Sequence, residues 1–292
     1  MQLEPERVLA TDSMPDWLRH RAAATPERLA ILAGDERWTF AELEERVTRT
    51  ARRLAGLGVR PGDRVATLLR NSHHAVVVIH AVGRVGAVLV PLNFRLTARE
   101  IAWQLADVQA RLLVSDAHTD ALAGETARSL PDLTRATISG ESPGASPLSR
   151  APELDVPLRD RIALDDLQSI IYTSGTTGQP KGVLLSFGNH WWSAIGSALN
   201  LGTHRDDRWL ACLPLFHVGG LAILMRSLIY GISAIIHESF DPVAVNRSID
   251  EDGVTIISVV STMLRRMLDA RGGRPYPPAL RCVLLGGGPA PR

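Results

Sequence analysis

Tyr172-Thr173-Ser174-Gly175-Thr176-Thr177-Gly178-Gln179-Pro180-Lys181-Gly182-Val183 is the stretch on which the reading of this chain turns. The apolar run Ile170-Ile171-Tyr172 leads into it and predicts the end of a buried strand. Nothing bulky stands between Thr173 and Lys181, so the segment has little to bury and is not a core element. Its composition suits a polyphosphate. Gly175, Gly178 and Gly182 permit positive φ and close approach of backbone N–H groups to an anion. Thr173, Ser174, Thr176 and Thr177 offer hydroxyl donors. Lys181 adds a compact positive charge on a flexible stem, and it is the only lysine in the chain.

A Walker A loop requires G-x-x-x-x-G-K-[ST]. Counted from Gly175, the second glycine position is Pro180 and the final hydroxyl position is Gly182, so an ordinary P-loop is rejected. A flexible surface linker is the plain alternative. The flanking buried strand and the lysine-bearing turn argue against it.

At 292 residues, 45% hydrophobic and with net charge +1, the chain reads as an ordinary soluble globular protein with room for two domains. No broad basic field points to nucleic acid or an anionic membrane. Cys212 and Cys282 lie in apolar, strand-like runs and are expected as small core residues in a reducing cytoplasm. The first twelve residues lack an apolar signal core. The most apolar stretch, Ala75 to Leu92, is interrupted by His80 and Arg84 and is too broken for a membrane span.

Along the chain, short apolar strands alternate with helices. Leu29–Leu32, Val65–Leu69, Ala87–Pro91 and Arg111–Ser115 read as strands. Thr39 and Glu42 form a capping-box pair, and Leu43, Val47, Ala51 and Leu54 carry helical spacing behind it. Ala75–Val85 and the segment from Thr97 through Leu105 are further helices. His73, His74 and His80 have no cysteine or carboxylate nearby to complete a metal set and are expected as surface or core histidines. Ser139 to Pro157, rich in Ser, Pro, Gly and Glu, reads as a mobile linker. The expected division is therefore a first α/β unit over residues 1–150 and a second over 151–292 carrying the phosphate loop. The fold class expected is α/β, with mainly parallel, doubly wound sheets.

In the second half, Leu213-Pro214-Leu215-Phe216-His217-Val218-Gly219-Gly220 opens a helix, and Phe216 and His217 are candidates for a site role. A merely buried His217 in a helix-capping loop is the plain alternative. Arg281–Leu285 reads as a strand running into Gly286-Gly287-Gly288-Pro289, where a flat base can lie against bare backbone. A tight strand-to-helix turn serves the same residues equally well.

The segment from Tyr172 to Val183 resembles, without a gap, the phosphate-binding signature of the adenylate-forming superfamily, which includes acyl-CoA synthetases. Trp38-Thr39-Phe40, Pro61-Gly62-Asp63-Arg64-Val65 and Val90-Pro91-Leu92-Asn93 resemble its earlier landmarks, in the right order. The resemblance implies two stacked α/β sheets and ATP, Mg²⁺ and coenzyme A as substrates and cofactors. It implies a phosphate site at Thr173, Ser174, Gly175, Thr176, Thr177, Gly178 and Lys181. It also implies catalytic roles for Lys181 and His217, with Phe216, His217, Gly286, Gly287, Gly288 and Pro289 at the adenine and acyl pocket. Leu213–Gly220, Ile257–Leu264 and Leu284-Leu285-Gly286-Gly287-Gly288-Pro289-Ala290-Pro291 look most like the 2-succinylbenzoate–CoA ligase branch. That likeness makes 2-succinylbenzoate the expected acid and a homodimer an expectation of the resemblance alone. The family's magnesium-binding Glu, ribose-binding Asp and C-terminal lysine would fall after Arg292. No metal ligand is therefore assigned, and an N-terminal portion, inactive alone, is expected. A fatty- or aryl-acid CoA ligase and a non-catalytic nucleotide-binding remnant are the alternatives.

Overall fold

The computed structural model describes residues 13–140, 142–173 and 179–288. It is built on two sheets. A seven-stranded sheet runs in the order β11 (Lys181–Ser186), β10 (Leu167–Thr173), β5 (Val88–Pro91), β4 (Arg64–Leu68), β6 (Leu112–Ser115), β7 (Thr134–Thr137) and β8 (Ser146–Pro147). A six-stranded sheet runs β15 (Cys282–Gly286), β14 (Ile256–Val260), β12 (Arg208–Ala211), β13 (Ser233–Ile236), β2 (Leu29–Ala33) and β3 (Glu36–Thr39). A two-stranded ribbon pairs β1 (Ser13–Pro15) with β9 (Arg161–Ala163). Among the described residues, only β10 with β11, and β2 with β3, run antiparallel inside the two large sheets.

Helices cover both faces, which is why the strands are apolar runs without alternation. Successive strand residues point to opposite faces, and here both faces are core. Val65 and Leu112 join a central apolar cluster, while their neighbours Ala66 and Leu113 join another. The central cluster draws on both sheets, through Leu89 and Val114 on one side and Trp209 and Ala234 on the other. Between them lie α2 (Phe40–Gly56), α3 (His73–Arg84), α6 (Phe187–Leu201) and α7 (Val218–Tyr230). Outside the first sheet pack α4 (Ala98–Asp107) and α5 (Asp120–Ala127), through Ile101, Leu105 and Ala123. Outside the second pack α8 (Pro242–Glu251) and α9 (Ser261–Arg271), through Val245, Ile249 and Met267. The expected pair of stacked, mainly parallel sheets is what forms.

Sheet membership cuts across residue 150, where the chain was expected to divide. The hairpin β10–β11 completes the first sheet, and the early hairpin β2–β3 completes the second. Sequence order cannot reveal this, because strand partners are chosen by packing and not by proximity along the chain. The expected mobile linker is likewise corrected. Its Ser146–Pro147 forms the edge strand β8, Leu148 and Ala151 are buried, and Glu153 pairs with Arg53 at 2.8 Å. Gly56 on α2 lets this segment close in, since an added Cβ would lie 2.0 Å from the Pro152 carbonyl oxygen. Helix α5 and strands β7 and β11 went unanticipated.

Local signals held where they were strong. Thr39 and Glu42 make a reciprocal capping box at α2, and Thr97 and Glu100 make another at α4. The N-terminal helix α1 (Trp17–Ala24) is capped by Asp16, whose carboxylate also meets Arg84 of α3 at 2.7 Å. Arg84 is 2% exposed and reaches Glu44 of α2 at 2.6 Å and the Thr48 hydroxyl at 3.1 Å. One buried guanidinium thus ties three helices together. Arg84→Leu leaves two carboxylates facing each other without their cation. It should lower the unfolding free energy by about 3 kcal/mol, read as a fall in the urea midpoint; an unchanged midpoint would refute this role.

Candidate active site

In open parallel sheets, ligands gather where the carboxyl ends of the strands release their loops. Here β10 runs parallel to β5, so Thr173 and Asn93 leave the first sheet at the same end. The antiparallel turn-back sets Thr173 directly opposite Lys181. Lys181 therefore opens a strand and does not sit on a free turn. Ser174, Gly175, Thr176, Thr177 and Gly178, the centre of the phosphate loop read from the sequence, lie outside the described residues. Gly182 has a local reason to be glycine: a Cβ there would lie 2.9 Å from the Ile170 side chain.

From the second sheet, β12 releases Leu213–His217 into α7. Phe216 is buried and meets Phe94 edge-to-face at 5.2 Å, so an aromatic pair joins loops from both sheets. His217 is the N-cap of α7 but makes no side-chain cap bond, which frees its imidazole. Desolvation holds its pKa below the ordinary histidine value, and the charge of Arg95 pushes the same way. The ring is therefore neutral near pH 7, with one nitrogen to donate and one to accept.

These ends enclose a cleft of about 360 Å³ lined by Pro91, Asn93, Tyr172, Thr173, Phe216 and His217, among others. Pro180, beside Lys181, also lines it. Tyr172 is oriented from behind: its hydroxyl donates to Asp107 and to the Gln104 carbonyl of α4. Burial raises its pKa, and the Asp107 hydrogen bond adds to the effect, so it stays a neutral donor. Gly286, Gly287 and Gly288 sit apart from this lining. They lie at the carboxyl end of β15, an edge strand separated from β12 by β14. Gly287 has φ +79°, and a Cβ there would press on Val260 at 3.0 Å, so the turn itself explains this glycine. Pro289 lies outside the described residues.

Sequence reading missed two features. The first is Asn71, buried in the loop after β4, whose side-chain amide bonds to the Leu213–Leu215 loop of the other sheet. The second is Arg226 on α7. It donates to Ser193 of α6 at 3.1 Å and stacks 5.4 Å from the Trp209 ring centre. Its Nε is enclosed without a hydrogen-bond partner, and no carboxylate among the described residues lies within 4 Å. Burial lowers its pKa. Nearby His190 is buried, its Nε2 unpartnered, and its pKa is pushed down to about 4 by burial and then by Arg226. The available signal was a lone cation in the apolar run Leu221–Tyr230.

The family described as AMP-binding enzyme matches residues 18–292. A 2-succinylbenzoate–CoA ligase from Geobacillus kaustophilus (strain HTA426) is 49% identical over 280 residues, which is 96% of this chain and 54% of that protein. Among solved structures, o-succinylbenzoate CoA synthetase from Bacillus subtilis in complex with the acyl-adenylate intermediate superposes with TM-score 0.88 at 39% identity. The match covers 96% of this chain and 55% of that one. The same enzyme in complex with ATP and magnesium ion gives TM-score 0.86 at 40% identity, over 96% and 56% of the two chains. The chain spans about half the length of the curated relatives it matches.

The buried His190 gives a pH test. Its folded pKa, about 4, lies below the unfolded value, so the unfolded chain takes up the proton first. Stability is complete above about pH 6.5 and falls as pH drops toward the folded value. By pH 4.5 the loss assignable to His190 should be about 2.5 kcal/mol. His190→Gln should remove that share from urea titrations at pH 7.5, 5.5 and 4.5; an unaltered pH profile would show that the ring is not held neutral.

Proposed function

Because the chain belongs to the AMP-binding enzyme family, we propose that it forms the nucleotide- and acid-binding portion of a ligase joining 2-succinylbenzoate to coenzyme A. In the first half-reaction a carboxylate oxygen of the acid attacks the α-phosphorus of ATP. The bond to the bridging oxygen breaks and pyrophosphate leaves. In the second, the thiol of coenzyme A gives up its proton to water and attacks the acyl carbon, and AMP leaves with the acyl–oxygen electron pair. The acid is already ionised at neutral pH, so the first half needs no general base. What it needs is positive charge and N–H donors around a phosphorus gaining negative charge.

In this reading Lys181, held across from Thr173 at the mouth of the hairpin, supplies the charge. Thr173 and the loop after it supply hydroxyl and backbone donors. His217, neutral at the cleft, donates one ring N–H to a phosphate or carboxyl oxygen. Magnesium, when bound, neutralises phosphate charge. Among the described residues no cluster of carboxylates or histidines offers it a site, so no step is assigned to protein-held metal here.

The likeness to 2-succinylbenzoate–CoA ligases carries the choice of acid, and Arg226, on the helix that His217 caps, is the residue we assign to its second carboxylate. A half-buried cation without a carboxylate partner is costly unless an anion meets it. 2-Succinylbenzoate has two carboxylates: one reacts, and the other remains available to such a cation. A monocarboxylic fatty acid would leave Arg226 unmatched.

The test is acid-dependent exchange of labelled pyrophosphate into ATP. It is run with this chain alone and with the chain fused to the remaining portion of the Geobacillus kaustophilus relative. Exchange with 2-succinylbenzoate at least tenfold above benzoate or a fatty acid is the expected result; preference for a monocarboxylic acid would overturn the substrate, and no exchange with any acid would favour a binding module. In the active fusion, Lys181→Ala should slow exchange about 10²-fold with the fold intact by circular dichroism. Arg226→Met should raise KM for 2-succinylbenzoate by about 10- to 100-fold, as expected for a lost charge-assisted pair, and leave KM for ATP unchanged.

A further inference from the structure

The geometry points to Asn71 as the residue that positions the Phe216–His217 corner, by locking the loop after β12 onto the other sheet. Asn71 is 4% exposed and belongs to the first sheet, in the loop that follows β4. Every polar atom of its amide is used on the second sheet. Nδ2 donates to the Leu213 carbonyl at 2.9 Å and to the His237 carbonyl at 3.2 Å. Oδ1 accepts from the Leu215 backbone N–H at 2.9 Å. Two carbonyls and one N–H admit a single orientation of the amide, with nitrogen toward the carbonyls.

The loop has little else to hold it from the front. Pro214 contributes no N–H, and inside the loop only the His217 N–H reaches back, to the Pro214 carbonyl at 3.1 Å. Behind, the start of α7 is pressed against it: a Cβ on Gly220 would lie 2.3 Å from the Pro214 oxygen. The corner is thus gripped between Asn71 and the Gly220 backbone. Phe216 follows Leu215 directly, and His217 comes next, so a shift of the clamped Leu215 is carried to both. Neighbouring loops strengthen the same junction. Arg70 pairs across the junction with Glu238 at 2.6 Å, and within its own sheet its N–H donates to Asp116 at 2.7 Å. Those contacts are ionic or lie at the surface; the contact made inside the junction is the amide.

This inference rests on reading His217 as a site residue, and its test separates the two. Asn71→Asp keeps shape and acceptor but turns an oxygen toward two carbonyls. Asn71→Ser removes the reach. The first readout is the pH titration of the His217 ring by NMR in chain 1–292, which does not require ligase activity. In either variant its pKa should rise toward the ordinary imidazole value as the corner loosens, while the His190 signal stays where it is. The second readout is the pyrophosphate exchange of the fusion described above. There kcat should fall about 10²-fold, as for a reacting group displaced by about 1 Å, with KM for ATP changed less than about threefold. A folded variant with an unmoved His217 titration would overturn the inference, whatever the fusion does. A moved titration in a fusion without activity would support Asn71 and tell only against the ligase reading. If neither variant folds, hydrogen exchange in the unaltered chain decides. The Leu215 amide should be protected to within about tenfold of the β12 amides, and rapid exchange would overturn the clamp.

Discussion

Two parallel sheets that share one cleft must be held in register with each other, and an apolar core cannot do this alone. Dispersion and hydrophobic burial are non-directional, so they bring layers together without choosing a lateral position. Direction comes from hydrogen bonds. The buried amide of Asn71 supplies it at the place where the carboxyl ends converge, because its three bonds are all satisfied in one geometry. Leaving those loop carbonyls and that N–H unpaired in a dry junction would cost more than each bond contributes. The site therefore depends on an ordinary polar side chain with no chemistry of its own.

The same logic separates the charged interior groups. Arg84 is buried with two carboxylates and a hydroxyl around it, and it joins α1, α2 and α3. Arg271 is matched by Asp250 and by backbone carbonyls. Arg226 differs, since it has a hydroxyl and an aromatic face but no carboxylate among the described residues. Unlike Arg21 and Arg208, which are half-buried without a carboxylate but donate to backbone carbonyls, Arg226 keeps an enclosed Nε with no partner. His190 beside it, held neutral, keeps that region from accumulating a second positive charge.

The hairpin of β10 and β11 is fixed on either side of its connecting loop. Tyr172 packs edge-on against Trp103 at 6.1 Å and is tied to α4 by its hydroxyl. Thr173 and Lys181 are paired in the antiparallel register. Gly182 allows that register, since any Cβ would strike Ile170. The lysine is thereby placed by backbone hydrogen bonding, and it is exposed.

Much of this was legible in the chain itself. Composition and the alternation of strands and helices determined the α/β class, because apolar runs flanked by amphipathic helices can be buried only in layered sheets. Thr39 with Glu42 marked the start of α2, and Thr97 that of α4, since a cap is a contact between residues about three apart. The glycine- and hydroxyl-rich run with its one lysine suited a polyphosphate by its chemistry, and its resemblance to the family's signature supplied the reading as a phosphate site. What the tertiary structure decided were contacts between residues far apart in sequence. It assigned β10–β11 to the first sheet and β2–β3 to the second, across the division expected at residue 150. It turned Ser146–Pro147 of the Ser- and Pro-rich segment into an edge strand, and it brought Asn71 to Leu215 and Ser193 to Arg226. Those pairings are set by which surfaces pack together, and no local pattern of residues encodes a partner 33 or 144 positions away.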